Sequence, residues 1–429
     1  MSNTAPIGWS YNSLSDLASI DKESLKGSTD PDYKFKYIDI ACVSTGQINL
    51  PAEHIRFQDS PSRARKRVRR GDVIMSTVRP NLQAFAYFDA RGAGYIASTG
   101  FSVIRANDKS DGKFLFNTIL ADDVTSQIDA LVVGSNYPAI NSSDVKNLEI
   151  LTPPLPEQQK IATILTSVDN VIEKTETQIN KLQALKKGMM QELLTKGVGT
   201  NGVPHTEFKD SSVGRIPKGW EVKTIQECCE IMTNGFVGAT RDIYRDDGIP
   251  YVLCQNVRAN SFVEKIYKYI DAEFHKKNKR AALKSGDVLT VQTGAGNGDT
   301  CVVPPSFEGA NCHALIISRP KKNILNSFYL SEFMNSDYGK KRVSVIATGG
   351  AHPHLNTTDL RREVIPLPPI EEQNVIANTL NSIRDKIVAS NHKAHHFKCL
   401  KKALMQDLLT GKVRVKINQN EKKESIVND

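Results

Sequence analysis

Two stretches of the chain carry apolar residues at alternating spacings of three and four, the repeat of a coiled-coil seam. In the first stretch the seam positions are Ile161, Leu165, Val168, Ile172, Thr175, Ile179, Leu182, Lys186, Met189 and Leu193. In the second stretch they are Ile376, Leu380, Ile383, Ile387, Ser390, Ala394, Phe397, Lys401, Leu404 and Leu408. Lys186 interrupts the first seam, where Leu185 and Met190 can take its place. Each pattern predicts a helix of about 38 residues, roughly 57 Å long at a rise of 1.5 Å per residue.

Proline pairs precede both predicted helices, at residues 153–154 and 368–369, and Gly197 and Gly411 follow them. Proline is tolerated before or within the first turn of a helix, and glycine commonly ends one. The segment between the helices has the size of a compact domain, whose ends usually lie close together. The second helix should therefore run back beside the first, as an antiparallel coiled coil. The alternative is that each helix merely packs against its own globular domain.

These helices belong to a repeat that runs through the chain at a constant offset. The triplet Gly-Asp-Val occurs at residues 71–73 and 286–288, and 286 − 71 = 215. The same offset separates Asn141 and Asn356, Asp144 and Asp359, Gln158 and Gln373, Ala162 and Ala377, Leu185 and Leu400, and Met190 and Met405. A Pro-x-Gly-Trp motif occurs at residues 6–9 and 217–220, with an offset of 211. The chain is therefore a tandem duplication.

Similarity between the two halves is dense in the helices and sparse in the segments before them. Those segments carry short strand-like runs, such as GDVIMSTV and GDVLTVQT, and stretches with apolar residues at helical spacing. They therefore have the pattern of mixed α/β domains. The predicted fold class is α+β: two globular mixed α/β domains joined by two long helices that form an antiparallel coiled coil, in a pseudo-twofold tandem repeat.

Length and composition limit the possible classes of protein. A chain of 429 residues exceeds one typical core, so two or three domains are expected. No apolar run is long enough to span a membrane, and the N-terminal residues lack the basic start and apolar stretch of a signal peptide. Seven cysteines without a CxxC pair favour free thiols in a reducing cytoplasm. The formal net charge is +9, and the placement of the basic residues matters more than this sum.

Basic residues cluster at matched places in the two halves. The run RARKRVRR precedes the first Gly-Asp-Val triplet, and HKKNKRAALK precedes the second. Candidate phosphate contacts are Arg63, Arg65, Lys66, Arg67, Arg69, Arg70, Lys276, Lys277, Lys279 and Arg280, with Lys284 close by. Such residues would give DNA affinity that is independent of sequence and sensitive to salt. A charge run is also compatible with an ordinary solvated face, but its recurrence in both halves favours phosphate binding.

Polar loops after each Gly-Asp-Val strand offer side chains that match base edges, since arginine suits guanine and asparagine or glutamine suits adenine. The candidates in these loops are Arg79, Asn81 and Gln83 in the first half and Gln292, Thr293 and Asn297 in the second. A second pair of matched loops precedes the proline pairs and offers Ser135, Asn136 and Tyr137, and His352 and His354. Each is an ordinary loop residue when taken alone. Together, two unlike loop sets would read two unlike half-sites.

Other chemistries have weak support in the sequence. The run TGAGNG is rich in glycine, but the Gly-Lys-Ser/Thr of a phosphate-binding P-loop does not follow it. His392 and His396 are four residues apart, but the glutamate of a HExxH zinc site is absent, so no metal site is predicted. The nuclease-like fragments PDY and EVK lie in different halves, and no motif for a methyl donor is found. No catalytic residue is therefore predicted.

The repeated segments LTPPLPEQQ and PLPPIEEQ, with helices that end in LKKGMMQELLTKG and LKKALMQDLLTG, resemble the specificity subunits of Type I restriction–modification systems. The resemblance covers nearly the whole chain except its last residues. It implies a first target recognition domain at 1–152, a first helical region at 153–197 and a linker at 198–210. It also implies a second target recognition domain at 211–365 and a second helical region at 366–412. The remaining segment, 413–429, is predicted to be disordered.

By this resemblance, each recognition domain would read one half of a bipartite site in double-stranded DNA, and the helices would set the gap between the half-sites. The helices would also help to dock two methyltransferase subunits, and restriction/translocase subunits would complete the complex. S-adenosylmethionine, ATP and Mg would serve those partners, so the chain itself would be non-catalytic and hold no cofactor. No contact with a membrane is expected. Two alternatives stay open: a self-contained restriction–methylation enzyme, and a coiled-coil adaptor that binds only proteins.

Overall fold

A computed structural model of the chain describes residues 5–133, 138–199, 203–294, 296–347 and 354–417. The chain divides into two compact units: the first is formed by residues 1–176 and 391–429, and the second by residues 177–390. Each unit contains one of the divergent segments and a part of both long helices.

The helices are α1 (Leu14–Leu17), α2 (Gly112–Ile119), α3 (Asp122–Leu131), α4 (Ser142–Lys146), α5 (Leu155–Lys196), α6 (Ile225–Cys228), α7 (Ala272–Lys277), α8 (Ser327–Asn335), α9 (Asp337–Ile346), α10 (Thr357–Arg362) and α11 (Ile370–Leu408). The strands of the first unit are β1 (Ser10–Ser13), β2 (Ala18–Ile20), β3 (Lys34–Ile38), β4 (Val43–Ser44), β5 (Gln47–Ile48), β6 (Ile55–Arg56), β7 (Ala64–Val68), β8 (Val73–Ser76), β9 (Phe85–Tyr87), β10 (Tyr95–Ser98), β11 (Phe101–Ala106) and β12 (Glu149–Thr152). Those of the second unit are β13 (Phe208–Ser211), β14 (Gly214–Pro217), β15 (Glu221–Thr224), β16 (Cys229–Asn234), β17 (Tyr244–Arg245), β18 (Ile249–Val252), β19 (Val257–Arg258), β20 (Ser261–Phe262), β21 (Lys268–Ile270), β22 (Val288–Val291), β23 (Thr300–Val302), β24 (Asn311–Cys312), β25 (Leu315–Pro320) and β26 (Val364–Leu367).

Matching four-stranded sheets occur in the two units. An antiparallel sheet has the order β2-β11-β8-β9 in the first unit and β16-β25-β22-β23 in the second. A mixed sheet has the order β6-β3-β10-β7 in the first and β17-β21-β18-β24 in the second, with parallel pairs β3–β10 and β18–β24. The mixed sheets differ at their edges, where β7 and β17 have no equivalent in the other unit. The two domains therefore share an architecture although their sequences diverge.

The Gly-Asp-Val triplets mark the entry to the central strands β8 and β22. The buried carboxylate of Asp72 accepts two hydrogen bonds from Arg105, at 2.7 and 2.8 Å. Asp287 accepts two from Arg319, both at 2.7 Å. These hydrogen bonds raise the pKa of both guanidinium groups. The triplet is repeated because its aspartate neutralises an arginine of the neighbouring strand.

The two long helices pack against each other in opposite directions. In the first unit Leu165, near the start of α5, shares a core with Leu408 at the end of α11, and Lys401 of α11 is 2.7 Å from Asp169 of α5. In the second unit the end of α5 shares a core with the start of α11; this contact involves Leu193, Leu194, Ile376, Ala377 and Leu380. The predicted fold class, with antiparallel long helices, is confirmed, and the alternative of helices that pack only on their own domains is excluded.

Every predicted seam position is buried or half-buried along α5 and α11. One detail of the prediction was wrong: Leu185 does not replace Lys186, because Leu185 is 49% exposed. Lys186 keeps the seam position and its Nζ reaches Oε1 of the buried Glu332, 3.2 Å away. Burial raises the pKa of the Glu332 carboxyl, although the Lys186 ammonium opposes that shift. A lysine is tolerated in this seam because a buried acid pairs with it.

Gln158 and Gln373 fasten the start of each long helix to its domain. The side-chain carbonyl of Gln158 accepts the backbone N–H of Asp111 at 3.0 Å, and its amide donates to the carbonyl of residue 153 at 2.9 Å. Gln373 makes the equivalent bonds to Asn326 and to residue 368, at 2.9 and 2.8 Å. The repeated glutamine therefore fixes how each domain joins its helix.

We define the first junction as the place where residues 6–9, the start of α5 and the segment after α11 meet. Trp9 donates its indole N–H to Glu157 across 3.0 Å. Glu157 is ion-paired with Arg414, whose guanidinium carbon lies 5.5 Å from the centre of the Trp9 ring. Gly411 has a φ of +70°, and a Cβ there would lie 2.7 Å from Pro6. Glycine is therefore needed after α11.

The second junction is the equivalent place in the second unit. Trp220 donates its indole N–H to Glu372 across 2.9 Å. Oε1 of Glu372 accepts the backbone N–H groups of residues 198 and 199, both at 2.9 Å, and lies 3.0 Å from Nε2 of His205. Gly197 has a φ of +69°, and a Cβ there would lie 2.6 Å from Trp220. In each unit, a buried glutamate therefore ties the end of one long helix to the start of the other.

The two junctions use segments for which the sequence predicted little structure. Arg414 belongs to 413–429, which was predicted as a disordered tail, yet its ion pair with Glu157 places it in folded structure. His205 belongs to the predicted linker, 198–210. Residues 418–429 lie outside the described residues. Part of the predicted tail and part of the predicted linker therefore hold the ends of the helices.

The seven cysteines are free thiols, as the sequence predicted. Burial raises the pKa of Cys228 to about 11 and the pKa of Cys229 and Cys301 to about 12. Burial therefore favours the protonated form of these three thiols.

Candidate nucleic-acid interface

The two predicted loops of the first domain lie side by side. A β-bridge joins Val78 to Ala139, and the N–H of Ile140 donates to the carbonyl of Thr77 at 3.0 Å. The N–H of Arg79 donates to the carbonyl of residue 138 at 2.7 Å. The loop that follows β8 is therefore fixed to the loop that precedes β12, although the two are distant in sequence. We call these two joined loops, residues 77–83 together with 133 and 138–140, the first loop pair.

The second domain repeats this arrangement at the positions that the sequence repeat makes equivalent. A β-bridge joins Thr293 to His354, and the N–H of Leu355 donates to the carbonyl of Gln292 at 2.9 Å. These four residues are the sequence equivalents of Val78, Ala139, Ile140 and Thr77. The second loop pair therefore has the same backbone frame as the first and carries different side chains.

The first loop pair presents a constrained turn at residues 79–83. Arg79 and Gln83 both have a φ of +50°, which costs about 1–3 kcal/mol for each residue that is not glycine. Pro80 between them is buried, and the hydroxyl of Thr45 donates to the carbonyl of Gln83 at 2.9 Å. Arg79 and Asn81 are exposed and Gln83 is half-buried. The turn is thus anchored by the buried Pro80 ring and by the hydrogen bond from Thr45.

The second loop pair has a hairpin frame, in which the N–H of Gly298 donates to the carbonyl of Val291 at 2.9 Å. Thr293 is exposed, and Asn297 and His354 are half-buried. Gln292 is not suited to reading a base, because it is only 3% exposed and its amide donates to the carbonyl of Leu355 at 3.3 Å. Its side chain therefore supports the loop pair from inside.

Four of the predicted base-reading residues, Ser135, Asn136, Tyr137 and His352, lie outside the described residues. The described parts of the same loops, at 133 and 138–140 and at 354–355, carry the pairing that joins each loop to its neighbour.

The basic run of the first domain forms strand β7, so its side chains alternate between two faces. Arg65 and Arg67 are half-buried and lie over aromatic rings, 4.9 Å from the centre of Phe57 and 5.4 Å from the centre of Tyr33. Lys66 points the other way. It is 9% exposed, and its Nζ binds a carboxylate oxygen of Asp21 at 2.7 Å. The structure therefore argues against Lys66 as a phosphate contact.

The flanking residues of this run are exposed. Arg63 is exposed, Arg69 is 2.7 Å from Glu23, and Arg70 is 2.7 Å from Asp89. Ion pairs between exposed groups are weak, so Arg70 can exchange Asp89 for a phosphate at little cost.

The basic residues of the second domain occupy a different element, helix α7 and the 3-10 turn at Lys279–Ala281. Lys276, Lys279 and Arg280 are exposed, and Lys277 is 2.8 Å from Glu273 on the same helix. Positive charge is therefore kept at this place in both domains, on a strand in one and on short helices in the other.

Each unit has a groove between the C-terminal part of a long helix and the neighbouring domain. The sequence did not predict these two equivalent grooves. The first groove, in the first unit, has a volume of about 930 Å³, and the second, in the second unit, about 280 Å³. Lys402, Met405 and Gln406 of α11 line the first groove, with Leu409 and Thr410 just after the helix, and Ile172, Lys398 and Lys401 also contribute. The α5 residues that line the second groove are Lys187, Met190, Gln191, Leu194 and Thr195. Residues 402, 405, 406, 409 and 410 are the equivalents of residues 187, 190, 191, 194 and 195 in the sequence repeat.

The domain sides of the grooves correspond as well. They include Thr118, Ala121, Asp122, Asp123 and Leu151 in the first unit and Phe333, Ser336, Asp337, Tyr338 and Pro366 in the second. The five shared positions of the helix side carry identical residues in the two grooves, whereas the domain side has changed. The dense repeat in LKKGMMQELLT and LKKALMQDLLT was the sequence signal, and only the packing shows that it lines a surface.

A family model described as "Type I restriction modification DNA specificity domain" matches the chain twice, at residues 6–184 and 217–395. The chain belongs to this family. Each match contains one loop pair, one Gly-Asp-Val triplet and most of one long helix. The resemblance seen in the sequence is thereby confirmed, and with it sequence-specific DNA recognition as the function of the chain.

Known members of the family match most of the chain. The Type I restriction enzyme MjaVIII specificity subunit of Methanocaldococcus jannaschii is 30% identical over 331 residues, which are 75% of this chain and 75% of the relative. A chain from a structure on complex assembly and conformational transition of the type I R-M system is 26% identical, with a TM-score of 0.53. The match covers 96% of this chain and 100% of the chain in that structure.

The fold of the family is also seen at lower sequence identity. The Type-I restriction-modification system S subunit from M. genitalium is 13% identical, with a TM-score of 0.61 and coverage of 97% of this chain and 99% of that subunit.

Among the helices within the described residues, none has a stretch long and apolar enough to span a lipid bilayer.

Proposed function

We propose that each recognition domain of this chain reads one half of a bipartite site in double-stranded DNA. The observation that supports this most directly is the equivalence of the two loop pairs. Bridges Val78–Ala139 and Thr293–His354 hold the same frame, while the exposed side chains on that frame differ. Two domains that read different half-sites would need the same backbone frame with different side chains on it.

Phosphate contacts would position each reader on the duplex. In the first domain the proposed contacts are Arg63, Arg65, Arg67, Arg69 and Arg70, and in the second Lys276, Lys277, Lys279 and Arg280. Their exposed or half-buried side chains support this role. The proposed base contacts that the structure describes are Arg79, Asn81, Gln83, Thr293, Asn297 and His354. Lys66 and Gln292 are left out because both are buried.

The coiled coil would set the gap between the two half-sites. Its stiffness is supported by the apolar seam along α5 and α11 and by the ion pair of the half-buried Lys401 with Asp169 in the first unit. At the ends of the helices, the two junctions fasten Trp9 to Glu157 and Trp220 to Glu372. A stiff connection of fixed length would hold two readers at a fixed spacing.

Catalysis would belong to partner subunits, so this chain would act as a non-catalytic recognition subunit. Two methyltransferase subunits and restriction/translocase subunits are the proposed partners, using S-adenosylmethionine, ATP and Mg. The two grooves are the proposed docking sites for the methyltransferase subunits. Two copies of one surface suit two copies of one partner, and the five identical residues that the two grooves share on the helix side support that equivalence.

The docking proposal is tested by filling each groove with a bulky side chain. Gln191 and Gln406 are exposed residues that line the second and the first groove. Gln191→Trp and Gln406→Trp should each remove one methyltransferase copy from the purified complex, and the double variant should remove both. Leu185→Trp is the control, because Leu185 is exposed on α5 outside the groove. Unchanged complex mass in all variants would contradict this docking site.

The recognition proposal is tested in the source strain by single-molecule sequencing of methylated adenines. Deleting the gene for this chain should remove one bipartite methylated motif, and supplying the gene again should restore it. An unchanged methylome, with the partner subunits expressed, would contradict the proposed function. Methylation or cleavage of DNA by the purified chain alone would instead support the alternative of a self-contained enzyme.

A further inference from the structure

We propose that Leu82 is a specificity-determining residue of the first recognition domain, and that it reads thymine by contact with the C5 methyl group. The inference rests on the proposed function, because it requires the first loop pair to face DNA. It adds one residue, one base and one mode of readout, through an apolar side chain that the polar base-reading candidates do not include.

Leu82 is the last residue of the 3-10 turn Pro80–Leu82 and is 64% exposed. One exposed leucine is ordinary on a protein surface, so exposure alone would not support a role. The turn that carries Leu82 is unusual, since Arg79 and Gln83 on either side of it are both left-handed. The buried ring of Pro80 and the hydrogen bond from the Thr45 hydroxyl anchor the turn. Leu82 is therefore presented to solvent on an anchored turn.

A second large apolar side chain is exposed in the same loop pair. Val133 is 77% exposed and is bridged to Ala139, which is itself bridged to Val78. The two exposed apolar residues come from separate segments of the chain and are brought to one surface. Arg79 and Asn81 are exposed beside Leu82 on the same turn. This surface therefore combines a cationic group, an amide and apolar groups.

That combination matches the chemistry of the major groove. Arginine suits the edge of guanine, asparagine suits the edge of adenine, and an apolar side chain suits the methyl group that distinguishes thymine. A protein partner for Leu82 is the competing explanation, and it predicts no dependence on that methyl group.

The second domain provides an internal comparison. Its equivalent loop, residues 294–298, has the sequence Gly-Ala-Gly-Asn-Gly and carries no large apolar side chain. The readout through Leu82 should therefore affect one half-site and leave the other unchanged.

The test uses the full chain purified together with its partner subunits. Wild-type complex first selects its site from a pool of random duplexes. Each thymine of that site is then replaced singly by deoxyuridine, which removes only the methyl group, and the Kd of each probe is measured. Wild type should lose about three- to tenfold in affinity at one thymine or more within one half-site. Leu82→Ala should bind the thymine probe about as weakly as wild type binds the deoxyuridine probe. The variant should therefore no longer distinguish thymine from deoxyuridine at that position.

Leu185→Ala is the matched control, because it shortens an exposed leucine on α5 and should keep the wild-type sensitivity. The wild-type measurements need no variant, so a folding defect in Leu82→Ala would not obscure them. The inference is overturned if no thymine is sensitive, if Leu82→Ala keeps the full sensitivity, or if it weakens binding to every duplex equally. A complex that selects no sequence contradicts the proposed function and the inference with it.

Discussion

The indole Nε1 of Trp9 donates a hydrogen bond to Oε2 of Glu157, 3.0 Å away and 148 residues further along the chain. Nε of Arg414, beyond the other long helix, donates to the same oxygen at 3.1 Å. One buried carboxylate therefore holds three segments that are distant in sequence. The loss of either the cationic or the anionic partner should loosen the first junction.

Glu157→Gln should lower the free energy of unfolding of the first unit by about 1–3 kcal/mol, because it removes the charge that Arg414 pairs with. The chain contains two tryptophans, so in a Trp220→Phe background Trp9 alone reports the unfolding of the first unit in urea. Arg414→Ala and the double variant complete a double-mutant cycle. We expect a coupling free energy of about 1–2 kcal/mol. Strictly additive effects would show that the pair contributes nothing.

Asp72→Asn and Asp287→Asn should each destabilise one unit. Each leaves the guanidinium of Arg105 or Arg319 beside a neutral amide, at a cost of about 2–4 kcal/mol. Trp9 fluorescence should report the first change in a Trp220→Phe background, and Trp220 fluorescence the second in a Trp9→Phe background. If either variant shifted the unfolding of the other unit by the same amount, the two units would not unfold independently.

Much of the architecture was predictable because it depends on spacing. The 3-4 repeat predicted both long helices, the constant offset between matched residues predicted two equivalent domains, and domain size predicted the antiparallel direction. The joining of the loops also followed the repeat, since Val78–Ala139 and Thr293–His354 are equivalent pairs. These features are properties of a pattern and need no knowledge of individual contacts.

The remaining features depend on contacts between distant side chains. Lys186 kept its seam position because Glu332, 146 residues away, pairs with it, and no local pattern predicts that pairing. The run RARKRVRR was interpreted as one charged patch. Its strand conformation turns Lys66 inward, and the alternation of Ala64, Lys66 and Val68 with Arg65 and Arg67 was the signal that could have shown this. The role of Arg414 could not be predicted from the sequence, because only folding brings this residue next to Glu157.

The basic residues of the second domain should govern the salt dependence of DNA binding. Replacing Lys279 and Arg280 by alanine should weaken binding to all duplexes alike, and should reduce the slope of log K against log salt by about 1 for each residue. The measurement is a salt titration with the purified complex. Lys393→Ala is the control, because Lys393 is an exposed lysine on α11, outside the basic cluster. A change of preferred sequence in the double variant would instead make these residues base readers.

Lengthening the coiled coil should lengthen the unread gap and leave both half-sites unchanged. Seven residues inserted into each of α5 and α11 add about 10 Å at 1.5 Å per residue, which corresponds to roughly three base pairs at 3.4 Å. The methylated motif of a strain with the altered chain gives the result. If the bases of the half-sites changed while the gap stayed the same, the helices would not set the spacing.

The most direct measurement of the central claim, that the two domains read separate half-sites, is the methylated motif of strains that carry loop variants. Arg79→Ala with Asn81→Ala alters only the first loop pair, and Thr293→Ala with His354→Ala alters only the second. We predict that the first double variant relaxes the sequence of one half of the motif and the second relaxes the other half, with the gap unchanged. Relaxation of the same half by both variants, or of both halves by either one, would contradict the account.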